Sequence, residues 1–127
     1  MADLNMFFKG IIDIDEKAIV ICDLSHTIIY MNPAAKKQYE KSGGGALVGR
    51  SIFDCHNPHT KEVILQNIAA MKVDKSLNKI FEFHKDRNGC NDDVYCQAIR
   101  DESGELIGYY ERFEDKNLHA EQGEMNV

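Results

Sequence analysis

The stretch Ala98–Asp115, AIRDESGELIGYYERFED, settles the fold. Asp101-Glu102-Ser103-Gly104 reads as a tight turn, because such residues accept the backbone angles of a bend. Leu106 to Phe113 resumes as an aliphatic and aromatic run, the composition of a strand. Gly108 within it has no side chain to pack, so it marks a bulge or a close approach of another backbone. Upstream, DVYCQAI (Asp93–Ile99) alternates, with Val94, Cys96 and Ala98 on one face and Tyr95, Gln97 and Ile99 on the other. Two strands joined by a short turn make a hairpin.

Further strands appear on moving outward. NKIFEFH (Asn78–His84) alternates with Phe81 and Phe83 on one face, and KDRNG (Lys85–Gly89) supplies an Asn-Gly turn into the hairpin. AIVICDL (Ala18–Leu24) is a β-branched run, Ser25-His26 a short turn, and TIIYMN (Thr27–Asn32) the returning strand. Between these two groups lie helical segments. Asn32 is a natural cap for PAAKKQYEK, with Pro33 in the first turn. Ser42 to Gly45 cannot hold a helix and reads as a flexible loop. VGRSIFDCH (Val48–His56) is a short helix or turn, ended by Asn57-Pro58. HTKEVILQNIAAMKV follows as the long helix, with Ile64, Ile68 and Met71 on one stripe, Leu65 beside them, and Thr60 or Asn57 as its cap. At the N-terminus Asp3 caps a helix whose Leu4, Phe8, Ile11 and Ile12 form an apolar stripe. That stripe packs on its own domain or on a second copy. The sum is an α/β (α+β) domain: a five-stranded antiparallel sheet with helices packed on one face. Residues 1–12 are the N-terminal helix and candidate dimer contact, 13–115 the domain, and 116–127 a polar tail.

The length of 127 residues suits one domain. A net charge of −6 and the lack of a Lys/Arg run exclude a phosphate-tracking surface, so no nucleic-acid partner is expected. No apolar run approaches the roughly 20 residues of a membrane span. MADLNMFFKG lacks a basic leader with an adequate apolar core, which points to a cytoplasmic protein whose four cysteines are thiols.

The order of elements and several local motifs resemble a PAS domain, over roughly Ile11 to Asp115. CDLSHTIIYMNPAA is similar to the opening of that family, where a strand bends, returns and ends in an Asn before small helical residues. Asp23, Asn32, Ala34 and Ala35 match, while Ser25-His26 replaces the glycine of the bend. LVGRSIFDCH resembles the segment before the long helix, and Ala98–Asp115 resembles the closing hairpin. The resemblance implies a sensory or interaction module, not an enzyme. Such a module binds a small molecule between sheet and long helix, or none, and signals through a partner or effector protein in signal transduction or transcription. A homodimer through the N-terminal helix and the sheet is expected, from the apolar stripe of that helix.

The candidate chemistry gathers in VGRSIFDCHNPHT (Val48–Thr60). Cys55, His56 and His59 are metal-ligand types, yet no second paired motif completes a tetrahedron, and no metal site is expected. Cys55 as a nucleophile lacks an identifiable acid to orient His56, so no catalytic residue is expected. His56 either packs at the helix end or contacts a small acidic ligand. The resemblance adds an alternative, a haem-based gas or redox sensor with His56 or His59 as axial ligand. It makes flavin photochemistry an unlikely match, because Cys55 stands in FDCHNP and not in an Asn-Cys-Arg-like stretch. A ligand pocket between helix and sheet would draw on Cys55, His56, His59, Ile64, Ile68, Phe81, Phe83, Cys96, Ala98 and Tyr110, the small Cys96 and Ala98 leaving room. The cofactor stays open. Arg50 and Arg100 are read either as partners of an anion or as surface ion pairs.

Overall fold

The computed structural model describes residues 3–86 and 91–116. The expected Asn88-Gly89 turn, Cys90 and the tail beyond Lys116 lie outside the described residues, as does the side chain of Cys55. The helices are α1 (Leu4–Ile14), α2 (Pro33–Gln38) and α3 (Pro58–Val73). The strands are β1 (Val20–Asp23), β2 (Ile28–Met31), β3 (Lys79–Lys85), β4 (Asp92–Arg100) and β5 (Leu106–Asp115). Three 3₁₀ turns, Glu40–Ser42, Gly44–Leu47 and Ile52–Cys55, carry the chain from α2 to α3.

All strand pairs are antiparallel, in the order β2-β1-β5-β4-β3. The closing hairpin therefore sits at the centre of the sheet, and the opening pair joins it through β1. Gly108 is the point of contact. It pairs with Asp23, and a Cβ there would lie 2.5 Å from the carbonyl oxygen of Cys22. Of the two readings offered for this glycine, close approach is the one found; the bulge of the hairpin falls at Ile99/Arg100.

The core lies between the inner sheet face and the helical segments. Cys22, Ile28, Met31, Val94, Cys96, Tyr109 and Phe113 from the sheet meet Ile64, Ile68 and Met71 of α3. The period of α3 places Ile64, Ile68 and Met71 inward as expected, but Leu65 is exposed. Caps begin the helices as the sequence indicates. Asp3 accepts from Asn5 N–H, Asn32 from Ala35 N–H and Asn57 from Thr60 N–H.

Two polar side chains hold the joints. Asn32, fully buried, accepts from the amides of Ile19 and Ala35 and donates to the carbonyls of Ile12 and Lys17. One residue thereby ties the end of α1, the start of β1 and the start of α2. Arg100 donates to the carbonyls of Met71, Asp74, Leu77 and Gly104 and to Asn78 Oδ1. It closes the C-terminal end of α3, where carbonyls lack helical partners. Arg100 is thus occupied within its own domain, and Arg50 lies 3.8 Å from Asp54 on the surface.

Helix α1 stands apart. No residue of it is buried, and Leu4, Phe7, Phe8, Ile11 and Ile14 are all exposed. It is fastened at its end by Asn32 and by the Asp13 carboxylate, which accepts from the Tyr30 hydroxyl.

Candidate functional site

Directly opposed residues of an antiparallel sheet share a face. Tyr109 opposes Cys22 and Ala98, Phe113 opposes Val94, and Glu111 opposes Cys96. Because Tyr109 and Phe113 are buried, the two-residue period puts the carboxylate between them inside as well. Glu82 on β3 faces inward two residues after Ile80, beside a register shift between Phe81 and Phe83. The inner sheet face therefore carries two acids.

Glu111 borders a cavity of about 130 Å³. Val20, Ile28 and Met31 form its floor, and Tyr39, Ser42, Leu47, Ile52 and His56 close it from the helical side. His56 arrives there because the 3₁₀ turn Ile52–Cys55 ends on it, while Asn57 caps and Pro58 starts α3. Its Nε2 lies 3.7 Å from Glu111 Oε1, with only 21% and 12% of the two side chains exposed. Burial disfavours charge on each: it lowers the His56 pKa and raises that of Glu111 to about 7. Glu82 is pushed up to about 8, first by burial and then by the charge of Glu111. Its Oε1 is buried without a hydrogen-bond partner, and its Oε2 accepts from Asn67 Nδ2 at 3.4 Å.

A neutral hydrogen-bonded chain lies next to this pair. His26 Nδ1 meets the Tyr109 hydroxyl at 2.9 Å, and the His26 ring lies 4.6 Å from Phe53. His26 occupies the bend where the resemblance expects glycine, with φ of 68°, the left-handed region. Burial pushes the Cys22 thiol up to about 12 and that of Cys96 higher, so both are held protonated.

The candidate ligand residues scatter around this geometry. His56 lines the cavity. Ile64, Ile68 and Cys96 are buried in the adjoining core, and Ala98 packs against it. Phe81 and Phe83, expected on the pocket face, are instead 55% and 42% exposed; Phe81 packs edge-on against Tyr95, away from the cavity. His59 is exposed on the first turn of α3. Tyr110 lies on the other side of its strand, along a groove with Ile19 and Arg112. That groove is larger, about 700 Å³, and is lined by ion-pair groups such as Lys17, Arg112 and Glu114. Its lining is dominated by charged groups, whereas that of the smaller cavity is mostly apolar.

These residues do not fit a haem. The cavity at His56 is well below the roughly 300–1,000 Å³ of pockets for drug-sized ligands, and His59 faces solvent. Among the described residues no group of three or more His, Cys, Asp or Glu side chains is placed to hold a metal ion. Glu111 also counts against an acidic ligand on His56, because the carboxylate would repel it. Glu82 and Glu111 escaped the reading of the sequence, although a signal was present. Once Tyr109 and Phe113 are assigned to the core, the residue between them on the two-residue period is Glu111.

A family model described as the PAS fold matches residues 15–116. Among curated proteins no significant match is found. Several solved structures are similar in fold. The C-terminal domain of a Streptococcus mutans protein superposes with a TM-score of 0.74 at 19% identity, over 91% of this chain and 87% of that one. A PAS domain from Colwellia psychrerythraea gives 0.61 at 22% identity, over 89% and 97%. A sensory box sensor histidine kinase from Vibrio cholerae gives 0.55 at 15% identity, over 88% and 91%.

Proposed function

The chain belongs to the PAS-fold family, and from that membership we propose that it is a non-catalytic sensor module that holds a small molecule in the cavity at Glu111 and His56. The observation that carries this reading is the cavity itself: an apolar chamber beneath the sheet with two ionisable groups turned into it. Pockets of this make-up, mostly apolar with a few convergent polar groups, are where small molecules bind. The printed description of the Vibrio cholerae neighbour, a sensor histidine kinase, supports a signalling role. Occupancy would favour one arrangement of the terminal segments over another and so regulate a partner or effector protein in signal transduction or transcription. The buried thiols, held protonated, are poor nucleophiles and support the non-catalytic assignment. A cytoplasmic setting suits free Cys22 and Cys96. No helix of the described residues is long and apolar enough to cross a membrane.

The test is native mass spectrometry of the protein as purified, beside its Glu111→Gln variant. An added small-molecule mass that the variant loses supports the reading. A bare protein that also ignores a library of small ligands removes it.

A second reading has its own observation. The apolar stripe of α1, 52 to 82% exposed at Leu4, Phe7, Phe8, Ile11 and Ile14, and the exposed Ile29, Phe81 and Ile107 on the strands suit a homodimer. The two readings are compatible, since a dimer contact through α1 would transmit what the cavity senses.

A further inference from the structure

We propose that the ligand of this cavity is a small amine, whose ammonium group sits between Glu111 and His56 and whose alkyl or single-ring body fills the apolar floor. The inference rests on the ligand-binding reading above and names its chemistry.

Size comes first. At about 130 Å³ the chamber is close to the roughly 150 Å³ apolar cavity known to admit benzene, so it takes a ring or a short alkyl chain and little more. Val20, Ile28, Met31, Leu47 and Ile52 offer such a body an apolar surround.

Geometry comes second. Glu111 Oε1 and His56 Nε2 are 3.7 Å apart, too far to bond each other. One nitrogen set off the line that joins them, bridging the pair, reaches both at ordinary hydrogen-bond length. An ammonium has the donors for this: one proton to the carboxylate and one to the imidazole in its Nδ1–H tautomer. Ser42, on the helical side with His56, supplies a hydroxyl.

Charge comes third. Above the pKa of Glu111 the groups packed on the pair leave the site net negative. From β3, Glu82 adds a second acid, and Lys85 attracts Glu111 but makes no ion pair with it among the described residues. From β4 and β1, Cys96 and Cys22 are neutral thiols, and from β5 Tyr109 is a neutral hydroxyl. From the helical side His56 is held neutral by burial. A cation replaces the hydration that Glu111 lost on folding, whereas an anion meets the Glu111 carboxylate and, above about pH 8, that of Glu82 as well, with Lys85 offsetting them only in part.

The test titrates n-butylamine, 1-butanol and butyrate, three probes of similar shape, into the ¹⁵N-labelled protein and into Glu111→Gln at pH 6 and pH 8. Backbone amide shifts of Ile28, Ile52 and His56 report binding in the cavity. At pH 8 butylamine binds at least tenfold more tightly than butanol. Its affinity falls up to about tenfold at pH 6, where Glu111 holds its proton. Glu111→Gln erases the advantage of the amine and leaves butanol unchanged, which shows that the variant is folded with its chamber intact. Equal affinity for amine and alcohol, preference for butyrate, or amine binding indifferent to Glu111→Gln each overturns the amine assignment while leaving a ligand cavity. If none of the three probes moves those amides, the cavity reading falls along with it.

Discussion

Glu111 and Glu82 weigh on the fold in a direction set by their pKa values. Both rise from the ordinary 4.5, to about 7 and about 8. Between pH 4.5 and those values the folded chain keeps protons that the unfolded chain releases, so stability falls as pH rises through the window and levels off above it. His56, whose pKa is lowered, adds an opposite loss on the acid side, below its ordinary 6.5. Glu111→Gln removes a buried charge. It should leave the melting temperature nearly unchanged at pH 5 and raise stability at pH 8.5, on the order of 3 kcal/mol for a shift of this size. A variant less stable at pH 8.5 would mean that the carboxylate is favourably paired there. His26 poses a different balance. Glycine would relieve its left-handed backbone, a gain of roughly 1–2 kcal/mol. It would also strip the Tyr109 hydroxyl of its partner and remove the ring beside Phe53, a loss of roughly 1–3 kcal/mol. His26→Gly should therefore be the less stable form by about 1 kcal/mol in urea unfolding; a stabilised variant would show that the backbone term dominates.

At the level of elements, Arg100 does the work of several caps. Its guanidinium serves four carbonyls and one amide oxygen around the end of α3 and the start of β3. Arg100→Ala should cost about 3 kcal/mol by leaving those acceptors short of donors. Arg100→Lys should recover only part of it, since an ammonium cannot span the same fork of acceptors. Urea midpoints for the two variants decide this, and a fully restored lysine variant would refute the fork argument. The elements themselves were legible in the sequence. Alternation set Val94, Cys96 and Ala98 on one face of β4, Asn32 marked the start of α2 and Asn57, offered beside Thr60, that of α3, and Gly108 was read as a bulge or a close approach, the latter being its contact with β1. The candidate site was less legible. The register shift beside Glu82 is a property of pairing with β4, and nothing local in KIFEFHK announces it. Phe81 and Phe83 looked like core because aromatics usually are, yet it is the acid between them that turns in. Arg100 looked like a surface or ligand-pairing charge, because its acceptors are backbone carbonyls that no sequence pattern displays.

For the whole molecule, the dimer reading rests on the exposed apolar stripe of α1. If its stripe meets a second copy, Phe8→Glu together with Ile11→Glu should convert a dimer to a monomer without shifting the thermal midpoint of the isolated domain by more than a degree or two, since neither side chain is buried. Analytical ultracentrifugation reads the first effect and calorimetry the second. A wild-type protein that is monomeric at high concentration would end the dimer reading. The tie at Asn32 has a mechanical consequence. Helix α1 is a rod roughly 16 Å long, held at its C-terminal end, where Asn32 and Tyr30 take hold of Ile12 and Asp13. Met31, which floors the cavity, is the residue before Asn32. A pivot of about 10° there sweeps Leu4 through nearly 3 Å at the far end of such a rod. A ligand that shifted Met31 would, through Asn32, be read out at the tip of α1 with that gain.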